Sequence, residues 1–120
     1  MEQDINFYLN KLSYSKFRSS FHLKPTDKEY INKKSLETIK SHAYDFITKR
    51  LAPAEILNDG KQTPMRGHPV FVAQHATATC CRGCFEKWYK IQKRKQLSNE
   101  EIDFAVNLIM GWIEKEISQN

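Results

Sequence analysis

No run of this sequence is apolar over the roughly 20 consecutive residues that a bilayer-spanning helix needs, so no membrane partner is expected. The amino-terminal MEQDINFYLNKL carries two early acids and no apolar block, so no secretory signal is expected and the reading is cytoplasmic. Cysteine is scarce: there are three, an odd number. In a reducing compartment that count favours free, metal-bound or transiently oxidised thiols over a disulfide framework. Glycine and proline are few, four of each. Strand-like alternation is missing except in MRGHPVFVAQH, where Val70 and Val72 fit a short strand and Pro69 fits the first turn of a helix equally well. Phosphate-binding loops, dinucleotide fingerprints, HExxH zinc sites, the zinc-deaminase pattern and clustered acids for two-metal chemistry are absent. Internal repeats and low-complexity segments are absent too.

What is present is helical patterning. The 120 residues, 40% apolar and 28% charged, suit one all-α domain, a compact helical bundle that needs no staple for its core. Ile5, Tyr8, Leu9 and Leu12 have the spacing of a helix over residues 3–11. Phe17 and Phe21, four apart, suit a second helical face, and Thr26 with Glu29 has the form of a capping box, so 1–33 reads as short helices. Leu36, Ile39, Ala43 and Phe46, widened by Ile47, predict an amphipathic helix over 34–50. The pattern then collapses into LAPAEILNDGKQTPMRG, a long irregular loop over 51–67 rich in turn residues. After the Cys/His segment at 68–91, Ser98 and Glu101 form a capping box, with Leu97 and Ile102 as a hydrophobic staple. They open a helix over 98–117 whose two apolar stripes, Ile102-Val106-Ile109-Ile113-Ile117 and Phe104-Leu108-Trp112, make it the expected central core element. Gly111 inside it marks either a close helix crossing or a tolerated glycine.

All three cysteines and two of the four histidines fall between Thr63 and Ile91, so any site is expected there. Cys81 and Cys84 have knuckle spacing, and His68 and His75 supply nitrogens, so His68, His75, Cys81 and Cys84 are the candidate zinc ligands. A second CxxC is missing, and the His-to-Cys spacing matches no standard finger. Buried inert thiols are the competing reading, since cysteine packs as a small hydrophobe. A third reading makes Cys80 or Cys81 a nucleophile with His75 as its base, in the first turn of a helix capped by Thr77 or Thr79. Arg66 before Gly67-His68-Pro69 could meet an anion, and Gln74 among small residues suits a cavity lining or a tight helix contact.

The formal charge of +5 is local. Arg82 to Lys95 holds six basic residues and one acid, whereas Gln96 to Asn120 holds one lysine and five acids. The basic face over 82–95, with Arg82, Lys87, Lys90, Lys93 and Arg94, is compatible with phosphate contacts, and equally with a solvated helix end. Trp88 and Tyr89 within it favour base stacking or core packing over groove readout.

The string TPMRGHPVFVAQHATATCCRGC, followed by EKW and an S/T-x-E-E-I helix, resembles an uncharacterised family of small bacterial and phage-associated proteins, the domain of unknown function numbered 4186. The resemblance implies no known activity. It implies that Arg66, His68, Gln74, His75, Cys80, Cys81 and Arg82 belong to a family signature. Members usually carry a His after the Trp and a Gly/Pro-rich turn; Tyr89 and Lys90-Ile91-Gln92-Lys93 stand there in this chain. The leading functional expectation is a zinc-binding module that engages nucleic acid, or a nucleic-acid-handling protein, through the 82–95 face. The alternatives are a small Cys/His enzyme and a metal-free interaction module such as a phage-encoded inhibitor of a host system.

Overall fold

The computed structural model describes residues 4–119, and among them it contains six α-helices and no strand. Helix α1, Ile5–Ser13, buries Leu9 and Leu12; the expected start at residue 3 lies outside the described residues. A 3₁₀ turn at Arg18–Ser20 follows, with the Phe17 and Phe21 rings edge to face across it at 5.2 Å. Helix α2 spans Pro25–Lys34 and α3 spans Leu36–Phe46. The Thr26–Glu29 box is not the cap: Asp27 accepts the Lys24 backbone N–H at 3.0 Å, because Pro25 takes the first helical position and moves the cap upstream. The helix expected over 34–50 starts later, at Leu36, and its α-helical part ends at Phe46. Ser35, at φ 84°, breaks the chain and its hydroxyl caps α3 through the Thr38 N–H. At the other end the last turn widens into a π turn, Ile47–Leu51.

Residues 52–68 are the long loop. Helix α4, Pro69–Ala76, begins with proline at its first position, and the alternative strand at Val70–Val72 does not form. Helix α5 spans Arg82–Tyr89 and α6 spans Asn99–Ser118. The Ser98–Glu101 box is formed in both directions, at 2.8 and 3.1 Å. Helix α6 packs on α1, α3 and α4 and buries Phe104, Val106, Leu108, Ile109 and Ile113; the last residue of its first stripe, Ile117, is exposed. Burial of a side chain of this size contributes about 1.5–3 kcal/mol. Tyr8, Phe85, Tyr89 and Phe104 form an edge-to-face ring cluster that joins α1, α5 and α6. Gly111 is a close crossing: a β-carbon there would sit 3.1 Å from Leu9 Cδ1 and 3.2 Å from Ile5 Cγ2. No helix is long and apolar enough to cross a membrane among the described residues.

Candidate metal centre

The segment 77–90 is not one helix. Helix α4 ends at Thr77, and Ala78, fully buried, turns left-handed at φ 60°. That turn brings the Thr79 N–H back to the Gln74 carbonyl at 2.9 Å and closes the end of α4. The chain then re-enters a helix at Arg82 with Cys81 as the cap, not Thr77 or Thr79. Cys81 Sγ accepts the Cys84 N–H at 3.4 Å. Cys80 is anchored through its carbonyl, which accepts the Thr63 hydroxyl at 2.8 Å. Reversal at Ala78, capping at Cys81 and one helical turn to Cys84 bring the three sulfurs within 4.8 Å of one another. All three are free thiols, Cys80 and Cys81 buried and Cys84 half-buried.

A guanidinium from the far end of the sequence completes the group. Arg18 is buried in the 3₁₀ turn and donates to Cys84 Sγ at 3.1 Å, to Cys80 Sγ at 3.6 Å and to the His75 carbonyl at 2.7 Å. The thiol of Cys84 is pulled far below its ordinary range, because Cys80, Cys81 and Arg18 all donate to it. Cys80 moves the other way, since it donates to Cys81 and Cys84 and is buried. Cys81 gains from its bond with Cys80, but donation to Cys84 and burial carry it upward. The neighbouring donors thus favour the thiolate at Cys84 and disfavour it at Cys80 and Cys81, the two thiols that the sequence offers as nucleophiles.

Neither expected histidine joins the sulfurs; among the described residues the three cysteines alone form a group able to hold a metal ion. His75 Nε2 faces the Thr63 and Pro64 carbonyls at 3.1 and 3.2 Å, and its ring stacks on Phe21. It ties the loop to α4 instead of serving a thiol as base. His68 caps α4: its Nδ1 accepts the Val70 N–H at 3.0 Å, so Nε2 carries the proton and donates to His42 Nδ1, also at 3.0 Å. Burial and the neighbouring His42 hold its pKa down to about 4. A histidine whose folded pKa lies below its ordinary value of 6.5 supports the fold fully above that pH and loses its contribution as the pH falls towards 4. For this half-buried ring the loss is expected to be roughly 1–2 kcal/mol after discounting for solvent. Urea midpoints at neutral and acid pH should show it, and His68→Asn, which keeps a cap, should flatten the dependence.

The proposed binding residues divide. Gln74 is buried and donates to the Thr79 carbonyl at 3.0 Å, so it holds the turn rather than facing a partner. Arg82 is 3% exposed, and its fork donates to the carbonyls of Leu51, Ala52, Pro53, Gln92 and Lys95. It clamps the start of the long loop to the connection between α5 and α6 instead of contributing to a basic surface. Lys93 pairs with Asp59 at 3.8 Å. Arg66, Lys87, Lys90 and Arg94 are exposed.

Two contributors escaped the sequence reading, Arg18 and Asp59. Asp59, in the NDG turn, caps α5 by accepting the Arg82 and Gly83 N–H groups, both at 3.0 Å. The loop thus closes over the cysteine segment. Its signal was an acid between Asn58 and Gly60, both of which have positive φ. Arg18 had only the flanking phenylalanines to betray it.

Fold and site together define a small helical bundle with a three-cysteine centre backed by a buried arginine. A family model described as Domain of unknown function (DUF4186) matches residues 6–114, and the chain belongs to that family. No solved structure matches the chain.

Proposed function

We propose that the chain is a zinc-binding module in which Cys80, Cys81 and Cys84 hold the ion as thiolates. The observation that carries this reading is the set of three sulfurs within 4.8 Å beside a buried guanidinium. Tetrahedral zinc with sulfur at about 2.3 Å needs sulfur–sulfur separations of about 3.8 Å. The cluster reaches that by side-chain shifts of about an ångström. Charge favours a divalent ion. Three thiolates and one guanidinium leave two negative charges, which zinc cancels; monovalent copper would leave a buried anion and a trivalent ion a buried cation, both costly. With the His68 and His75 rings engaged elsewhere, the fourth position falls to water or to a group from a partner. The test is elemental analysis of protein purified without added metal. About one zinc per chain is expected; a folded, metal-free chain that takes up no zinc would remove the reading.

Nucleic acid is the partner this reading favours. Lys87, Lys90 and Arg94 are exposed in and just after the last turn of α5, where Lys90 and Arg94 adopt left-handed conformations. Binding to single-stranded DNA or RNA should weaken with a logarithmic salt slope of about two to three, for three or four phosphates contacted. Absence of binding at ~50 mM salt would retire this face.

A further inference from the structure

The Arg66-Gly67-His68-Pro69 motif is not absorbed by the metal centre. It forms one wall of a cleft of about 720 Å³ whose other wall is the start of α2 and the chain before it. That volume is in the range of small-molecule sites. Two cations reach the cleft from separate segments, Lys24 and Arg66. Both are exposed, and neither has an ion-pair partner among the described residues. The acid lining it, Asp27, is already engaged by the Lys24 backbone N–H. The Tyr30 hydroxyl has no hydrogen-bond partner among the described residues, and its ring meets the edge of His68 at 5.4 Å.

His68 contributes no charge here, since both ring nitrogens are committed to Val70 and His42. The positive potential therefore comes from Lys24 and Arg66, held over a wall of Phe21, Tyr30, Met65 and Val72. Met65 is 57% exposed, an apolar side chain left open beside a free guanidinium. Gly67, at φ 108°, makes the turn that sets Arg66 on the rim and starts α4 below it.

We propose that this cleft is a second binding site, for a small organic anion: a phosphate monoester or carboxylate with an aromatic or aliphatic body. The anion meets Arg66 and Lys24, the apolar body covers Met65 and Val72, and the Tyr30 hydroxyl supplies a further polar contact. The site stands whether or not the cysteines hold zinc.

Titration of the full chain with phenyl phosphate, benzoate and inorganic phosphate, followed by calorimetry, tests it and separates the two anion chemistries. Phenyl phosphate or benzoate should bind more tightly than inorganic phosphate. Arg66→Ala and Lys24→Ala, both surface changes, should each weaken that binding by about ten-fold or more, as the loss of a charge-assisted contact does. Lys40→Ala, at an exposed cation outside the cleft, should leave it unchanged, which separates this site from a general effect of positive charge. No saturable binding by either organic probe, equal affinity for inorganic phosphate, or indifference to both substitutions would overturn the proposal.

Discussion

Cys84→Ser is expected to lower the zinc content of the purified protein from about one ion per chain to less than a tenth of that. The serine hydroxyl is not ionised at neutral pH and cannot replace a thiolate ligand. The two sulfurs that remain, Cys80 and Cys81, are adjacent in sequence and leave the ion two protein ligands. The loss should also register in stability. An ion bound a thousand-fold above its dissociation constant adds about 4 kcal/mol to the folded state. Treatment of the wild type with a chelator should therefore lower its melting temperature to near that of the variant, while the variant should not respond to the chelator. Arg18→Met separates charge balance from ligation. It keeps all three sulfurs and removes the guanidinium that donates to Cys84 and Cys80, so zinc should bind but more weakly. A variant of Cys84 that retains stoichiometric zinc would show that the metal sits elsewhere.

Arg82→Met should destabilise the fold by about 3–5 kcal/mol, read from urea unfolding, without changing zinc stoichiometry. The side chain donates to five carbonyls from two segments, and their oxygens are left in a poorly hydrated place once the donors go. Arg82→Lys should recover little. An ammonium offers three donors from one point, whereas the planar fork reaches Leu51–Pro53 with one nitrogen and Gln92 and Lys95 with the other. A loss below about 1 kcal/mol would mean that water replaces the fork at little cost.

The two predictions differ in how far the sequence foresaw them. Cys81 and Cys84 were candidates on spacing alone, because one helical turn sets their separation. Arg82 shows in the sequence only as a charge, which suggests a surface. Composition counts a buried arginine and an exposed one alike, and only the carbonyls arriving from residues 51–53 and 92–95 decide between them. The histidines failed for a related reason. Proximity in sequence suggested ligands, but His68 lies at the helix start that Pro69 creates, where its Nδ1 serves an orphan backbone N–H. His75, one helix further on, points its ring at loop carbonyls.

Local chemistry was more reliable where local forces act alone. Ser98 with Glu101 specified a helix start because both partners lie within one turn. Proline at position 69 likewise suited a first turn. The stripe from Leu36 to Ile47 marked the helix but not its start: the expected first residue, Lys34, closes α2, and Ser35, with positive φ, caps α3, because periodicity does not register backbone sign.

The sequence by itself determined the class of fold, the central place of α6, the irregular loop and the segment where the thiols gather, since each follows from spacings of a few residues. Tertiary structure alone decided what surrounds those thiols. Arg18 and Cys84 lie 66 positions apart and Asp59 and Gly83 lie 24 apart. No short-range pattern encodes such contacts; they appear only when the burial of α1, α4 and α6 against one another fixes where the intervening chain returns.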